Sequence, residues 1–217
     1  MNLSTIQMVD AVACVDILVA MNPPTRRRTA SATATASEDS RARLLEAAKD
    51  VFAEKGYAGA RVQEIADRAG VNKQLINYYF GGKNGIYAEL GRQWLKSETE
   101  LQDPELPYDE LVLGYLRNNF ADPRGVRLEA WSELTGRPDA PEPATEDLAD
   151  IERRQAEGEL SDTISPAMVM LLSQALVMAP HLMPDTVHRI FGSGPADPDF
   201  QRDYTEQLRR ILRLLRA

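Results

Sequence analysis

Cysteine is all but absent: Cys14 is the one in 217 residues. That excludes a disulfide framework and a cysteine-built metal cluster, and makes a reducing cytoplasm the simplest setting. Histidine is nearly as scarce. His181 and His188 are the two present, and no HExxH or similar metal spacing occurs. They flank Asp185, but Pro184 beside them marks loop rather than a catalytic pair. No nucleophile–base pair and no phosphate-cradling glycine loop emerges, so an enzyme on a helical scaffold is the least supported class, and no cofactor is expected. Alternating apolar patterning is missing too, which leaves an all-α fold. No apolar run is long enough for a bilayer. The stretch 8–21 is broken by Asp10 and Asp16 and has no basic residue before it, so it fits neither a membrane span nor a signal peptide.

Positive charge is not in excess either. The net charge of −8 argues against a general nucleic-acid coat. Its distribution says more. Residues 1–37 carry +1, 38–90 carry zero and 91–217 carry −9, while the segment 61–83 alone carries +2. The acidic charge thus lies in the C-terminal two-thirds, away from one weakly basic segment.

That segment is the most patterned in the chain. Val62, Ile65, Ala66 and Ala69 recur at the spacing of one helical face. Gly70 can end the helix with positive φ, Val71 plugs the corner, and Asn72 suits the N-cap of a second helix. Leu75, Ile76, Tyr79 and Phe80 form that helix's inner stripe, which leaves Lys73, Gln74, Asn77 and Tyr78 facing outward. All four donate hydrogen bonds and none is acidic. The spacing predicts a helix-turn-helix whose second helix enters a major groove. An amphipathic helix over 40–55 precedes it, with Arg41 and Arg43 near its start as candidate phosphate contacts and Gly56-Tyr57 at its end.

Leu45, Ala47, Ala48, Phe52, Gly56 and Tyr57, then Val62, Ile65, Ala66, Ala69, Gly70 and Val71, then Tyr79, Phe80 and Lys83 resemble the N-terminal signature of TetR-family (tetracycline-repressor-like) transcriptional regulators. The resemblance covers about residues 41–90. It departs at Ala60 and Arg61, where the family often has threonines, and at Asn72, Gln74 and Asn77, where Ser, Gly and Tyr are usual. These positions face DNA, so an operator sequence is not transferable from relatives.

The resemblance implies a three-helix DNA-binding domain over 38–84 and a helical ligand-binding and dimerisation domain over 85–217, after a disordered arm at 1–37 whose Arg26, Arg27 and Arg28 are within reach of a minor groove. On double-stranded operator DNA, Lys73, Gln74 and Tyr78 are expected at base edges. Arg61, Asn72, Asn77, Tyr79 and Lys83 are expected to hold the backbone, with Arg61 and Lys83 at helix N-termini where phosphate is favoured. A repressor released from a palindromic operator by a small apolar effector is the function implied. The alternative is a helical protein–protein interaction module with degenerate DNA binding.

Beyond residue 100 the periodicity predicts helices over 108–120, 126–134, 145–158, 166–183 and 200–216, with a loop over 136–144 and a long connection after Pro184 that has room for a short helix at its start. Residues Met168–Met178 are apolar nearly all round, so that helix needs a second buried face. Together with the last helix it is expected to form a four-helix homodimer interface. The effector pocket is expected among Trp94, Leu111, Tyr115, Trp131, Met168, Leu171, Leu172, Gln174 and Ala175, where Met and aromatic side chains adapt to apolar ligands. Gln174 stands out as an amide in an apolar helix.

Overall fold

Helix formers with apolar residues three and four apart give ten helices and no strand among the residues described by the computed structural model, 30–101, 103–136 and 147–216. Of their side chains, those of 30–36, 95 and 98–101 are not described. The helices are α1 (Ala30–Gly59), α2 (Val62–Ala69), α3 (Gln74–Phe80), α4 (Lys83–Leu101), α5 (Tyr108–Ala121), α6 (Arg124–Thr135), α7 (Ala149–Ala156), α8 (Pro166–Leu182), α9 (Pro184–Phe191) and α10 (Pro198–Arg213). Met1–Glu38 and Asp39–Ala217 cluster as separate units, and the packed cores belong to the second.

One sequence boundary needs correcting. Helix α1 begins at Ala30, not Ser40, because the alternating alanines of 30–36 favour helix where an arm was expected. The rest of that arm, Arg26–Arg28 and Cys14 included, lies outside the described residues, as does all but Gly136 of the loop expected at 136–144. The connection after Pro184 opens on a short helix, α9, closed by Gly192 in the left-handed region.

Two cores form. In the first, Leu44, Ala48, Val51 and Phe52 of α1 close over Ile65 and Ala66 of α2, Ile76 of α3 and Ile86 of α4, all with no exposed surface. Phe52 and Tyr57 both meet Tyr87 edge-on at 5.0 Å. In the second core, Val112, Leu113 and Leu116 of α5 pack on Ile151 of α7, Val169 and Val177 of α8, and Leu208 and Leu212 of α10. Arg154 is buried within this part, 1% exposed, and donates to Asp150, Glu159 and the Leu106 carbonyl.

One stripe of α1 joins the cores. Arg124 forks onto Asp122 at 2.8 Å through two nitrogens and reaches Asp50 at 2.8 Å and Glu46 at 3.0 Å. Lys49 donates to Asp122 at 2.5 Å. One turn on, Trp131 Nε1 donates to the Ala53 carbonyl at 3.3 Å. Glu46, Lys49, Asp50 and Ala53 share one helical face, so α6 and the turn before it are fastened along α1.

Hydrogen bonds from Arg124, then from Lys49, hold the Asp122 carboxyl well below the carboxylate range despite partial burial. A depressed folded pKa means stabilisation present at neutral pH and lost as pH falls. Asp122→Asn keeps an acceptor for the Arg124 backbone N–H but removes the charge. It is expected to cost about 1–2 kcal/mol at pH 7. Urea unfolding should show the wild-type advantage shrinking only below about pH 4. An advantage independent of pH would mean that the charge contributes nothing.

Candidate nucleic-acid interface

The helix-turn-helix is built as its spacing predicts. Gly70, at φ +65°, ends α2. The Val71 N–H reaches the Ala66 carbonyl at 3.0 Å, and the Gly70 N–H reaches that of Asp67 at 3.1 Å. That pattern turns the chain sharply. Asn72 Oδ1 accepts the Gln74 N–H at 2.9 Å and so closes the turn ahead of α3, whose N-cap is Lys73 and not Asn72 as expected. Ile76 is fully buried beneath the helix.

The outward row faces solvent. Asn72, Lys73, Gln74, Asn77 and Tyr78 are exposed, Tyr78 to 79%. Tyr79 is half-buried, its ring edge-on to Tyr78 at 5.0 Å and to Phe80 at 6.1 Å. Arg61 is exposed immediately before α2 and makes no side-chain cap, so the first N–H groups of α2 stay open to an anion. Lys83 opens α4 as expected, but its ammonium sits 4.5 Å from the centre of the Tyr57 ring, and desolvation lowers its pKa. Arg41 and Arg43 are engaged within the protein, Arg41 with Glu89 and Arg43 with the turn after α2.

The expected effector residues do not converge. Met168, Leu171, Leu172, Gln174 and Ala175 are all exposed on α8, because that helix turns Val169, Ser173 and Val177 inward instead. Trp131 lies against Gly56, and Trp94 lies beside Gly125 at the start of α6. Tyr115 packs on the second core, and Leu111 is half-buried on α5. Two cavities sit elsewhere among the described residues. One, of about 280 Å³, is framed by Leu176, Phe191, Phe200, Tyr204, Leu208 and Ile211 between α8, α9 and α10. The other, of about 660 Å³, is polar and open, between the 104–107 turn and Arg153, Arg154 and Glu159. None of the nine expected residues lines either.

Nothing in the residue pattern marks His181 as a buried group. Its Nε2 has no hydrogen-bond partner, its ring lies 5.3 Å from Phe120, and burial, then the charge of Arg127, depresses its pKa. His188 is exposed.

Comparison with known proteins agrees with this geometry. Residues 44–90 match the bacterial regulatory proteins of the tetR family, and residues 109–211 match the tetracyclin repressor-like C-terminal domain. The HTH-type transcriptional repressor SCO4008 of Streptomyces coelicolor is 29% identical over 80% of this chain and 94% of its own. The probable HTH-type transcriptional regulator YttP of Bacillus subtilis is 26% identical over 79% and 91%. Among solved structures, the putative transcriptional regulator SCO4942 of Streptomyces coelicolor superposes with a TM-score of 0.64 at 25% identity, covering 79% of this chain and 97% of that one.

Proposed function

The chain belongs to the tetR family of bacterial regulatory proteins and is a DNA-binding transcriptional regulator, and on that ground we propose that it is a cytoplasmic homodimeric repressor whose paired α3 helices read a palindromic operator. The observation that carries this reading is the exposed row Lys73, Gln74, Asn77 and Tyr78, borne on a helix anchored from below by Ile76. Lys73, Gln74 and Tyr78 take base edges. Arg61, Asn72, Asn77, Tyr79 and Lys83 take the DNA backbone, Lys83 by leaving the Tyr57 ring. The DNA-binding part spans 38–84 and the effector and dimer part spans 85–217.

The dimer face is the outer stripe of α8 with the exposed side of α10. Met168, Leu171, Leu172 and Ala175 repeat at helical spacing, and Ile211 of α10 and Leu214 just after it are exposed as well. Solvent-facing Met and Leu in a continuous stripe mark an interface. A small apolar effector binds within 85–217, among Trp94, Leu111, Tyr115 and Trp131, of which Trp131 rests on α1 at Ala53 and Gly56. It acts by favouring a conformer in which α6 is displaced from α1, and its effect is bounded by its differential affinity for the two conformers.

Gel shift with DNA selected from a random pool tests the reading. Lys73→Ala is expected to cost about 1–3 kcal/mol on the selected operator and to relax discrimination at one base position. Arg61→Ala should weaken every duplex alike and reduce the slope of log affinity against log salt by about 1. Equal affinity of the wild-type protein for selected and scrambled duplexes would remove the reading.

A further inference from the structure

The recognition helix is short, and Ile76 is its one fully buried side chain. Leu75, Tyr79 and Phe80 pack on the same core only in part, so the attitude of this seven-residue helix depends on what holds its ends. Both ends are gripped from the same place, the middle turns of α1.

At the leading end, Arg43 donates through Nη2 to the carbonyls of Ala69 and Gly70, the latter at 3.1 Å. These oxygens belong to the last residue of α2 and to the turn into α3, where helix carbonyls lack intrahelical partners and the dipole is negative. The fit is close: a Cβ built on Gly70 would lie 2.8 Å from Arg43 Nη2. Asp39, at 3.6 Å, takes another nitrogen of the same guanidinium. At the trailing end, the Arg41 guanidinium lies 5.3 Å from the centre of the Phe80 ring, the last residue of α3, and donates to Glu89 on α4 at 2.8 Å. Arg41 thereby ties α1, the end of α3 and α4 at one point.

We infer that Arg41 and Arg43 are positioning residues that fix the attitude of α3, and so set discrimination between operators, rather than phosphate ligands. The inference rests on α3 being the recognition helix. Its chemistry separates it from a phosphate role, because a guanidinium committed to carbonyl and carboxylate oxygens releases no counterions when DNA binds.

The experiment uses the full chain with a duplex selected from random DNA by the wild-type protein and a scrambled duplex of the same length. Affinities are read across a series of salt concentrations, at a temperature where circular dichroism shows each variant folded. Arg43→Ala is expected to lower affinity for the selected duplex about tenfold, with the scrambled duplex and the salt slope unchanged. Arg43→Lys, which keeps one carbonyl donor, should recover part of the loss, and Arg41→Ala should repeat the pattern. A salt slope reduced by about 1, with both duplexes weakened equally, would make the arginines phosphate ligands and overturn the inference alone. Unaltered discrimination in both alanine variants would overturn it as well. A wild-type protein that does not discriminate would remove the recognition helix and this inference together.

Discussion

Two acidic side chains on the outer stripe of α8, as in Leu171→Glu with Leu172→Glu, are expected to leave a folded monomer that has lost high-affinity operator binding. Leu171 and Leu172 are 59% and 40% exposed in the single chain, so the substitutions remove nothing from its own core. In a dimer built on this stripe the same positions are desolvated against their symmetry mates. Four carboxylates would then be buried close together, at a cost of several kcal/mol. Operator affinity follows. A linked pair of recognition helices gains about 10²- to 10⁴-fold over a single one, because the second half-site is met intramolecularly. Loss of at least about a hundredfold is therefore expected in gel shift, with light scattering showing the monomer and the thermal midpoint near that of the wild type. A variant that stays dimeric and binds normally would move the interface off α8.

Much of the DNA-binding part was legible in the sequence, for a physical reason. Its contacts are local: Ile65, Ala66 and Ala69 lie within one helix of Ile76, and a glycine with positive φ closes each helix of the pair. The cap expected at Asn72 falls one residue later, at Lys73, because the Asn72 Oδ1 closes the turn ahead of α3. The effector side was not legible in the same way. Helix α8 is apolar on every face, so periodicity cannot tell an inner stripe from an outer one. Its inner stripe carries Ser173 and His181, bonded to or packed against Tyr108 and Phe120, while the more apolar Met168, Leu171 and Leu172 face out. Ranking by hydrophobicity therefore points the wrong way. Arg154, in a highly charged stretch, has the pattern of a solvated helix. It is buried because the 104–107 turn closes over it, the Leu106 carbonyl 48 residues away accepting from it beside the local Asp150 and Glu159. The junction of α1 with α6 has the same character. Lys49 and Asp122 are 73 residues apart and Ala53 and Trp131 are 78 apart, and no spacing rule reaches that far.

That junction carries the second large expectation, a loss of about 3–5 kcal/mol for Gly56→Ala. Two costs add. Gly56 sits at φ +67°, ψ 176°, a region that residues with a Cβ avoid, worth about 1–3 kcal/mol. A Cβ there would also lie 2.9 Å from two carbons of the Trp131 indole, which cannot swing away without giving up its hydrogen bond to Ala53. For a chain of this size each kcal/mol lowers the melting midpoint by about 2–4 °C, so a fall of about 6–20 °C is expected. A double-mutant cycle separates the two costs. Trp131→Ala removes the overlap but not the strained backbone, so in that background Gly56→Ala should cost only the strain, and the difference measures how tightly α6 seats on α1. Operator affinity measured on the same four proteins extends the argument. If α6 transmits the effector state to the recognition helices, unseating the indole should weaken operator binding beyond what lost stability explains. If binding by the folded fraction is unchanged across the cycle, the junction is architecture alone.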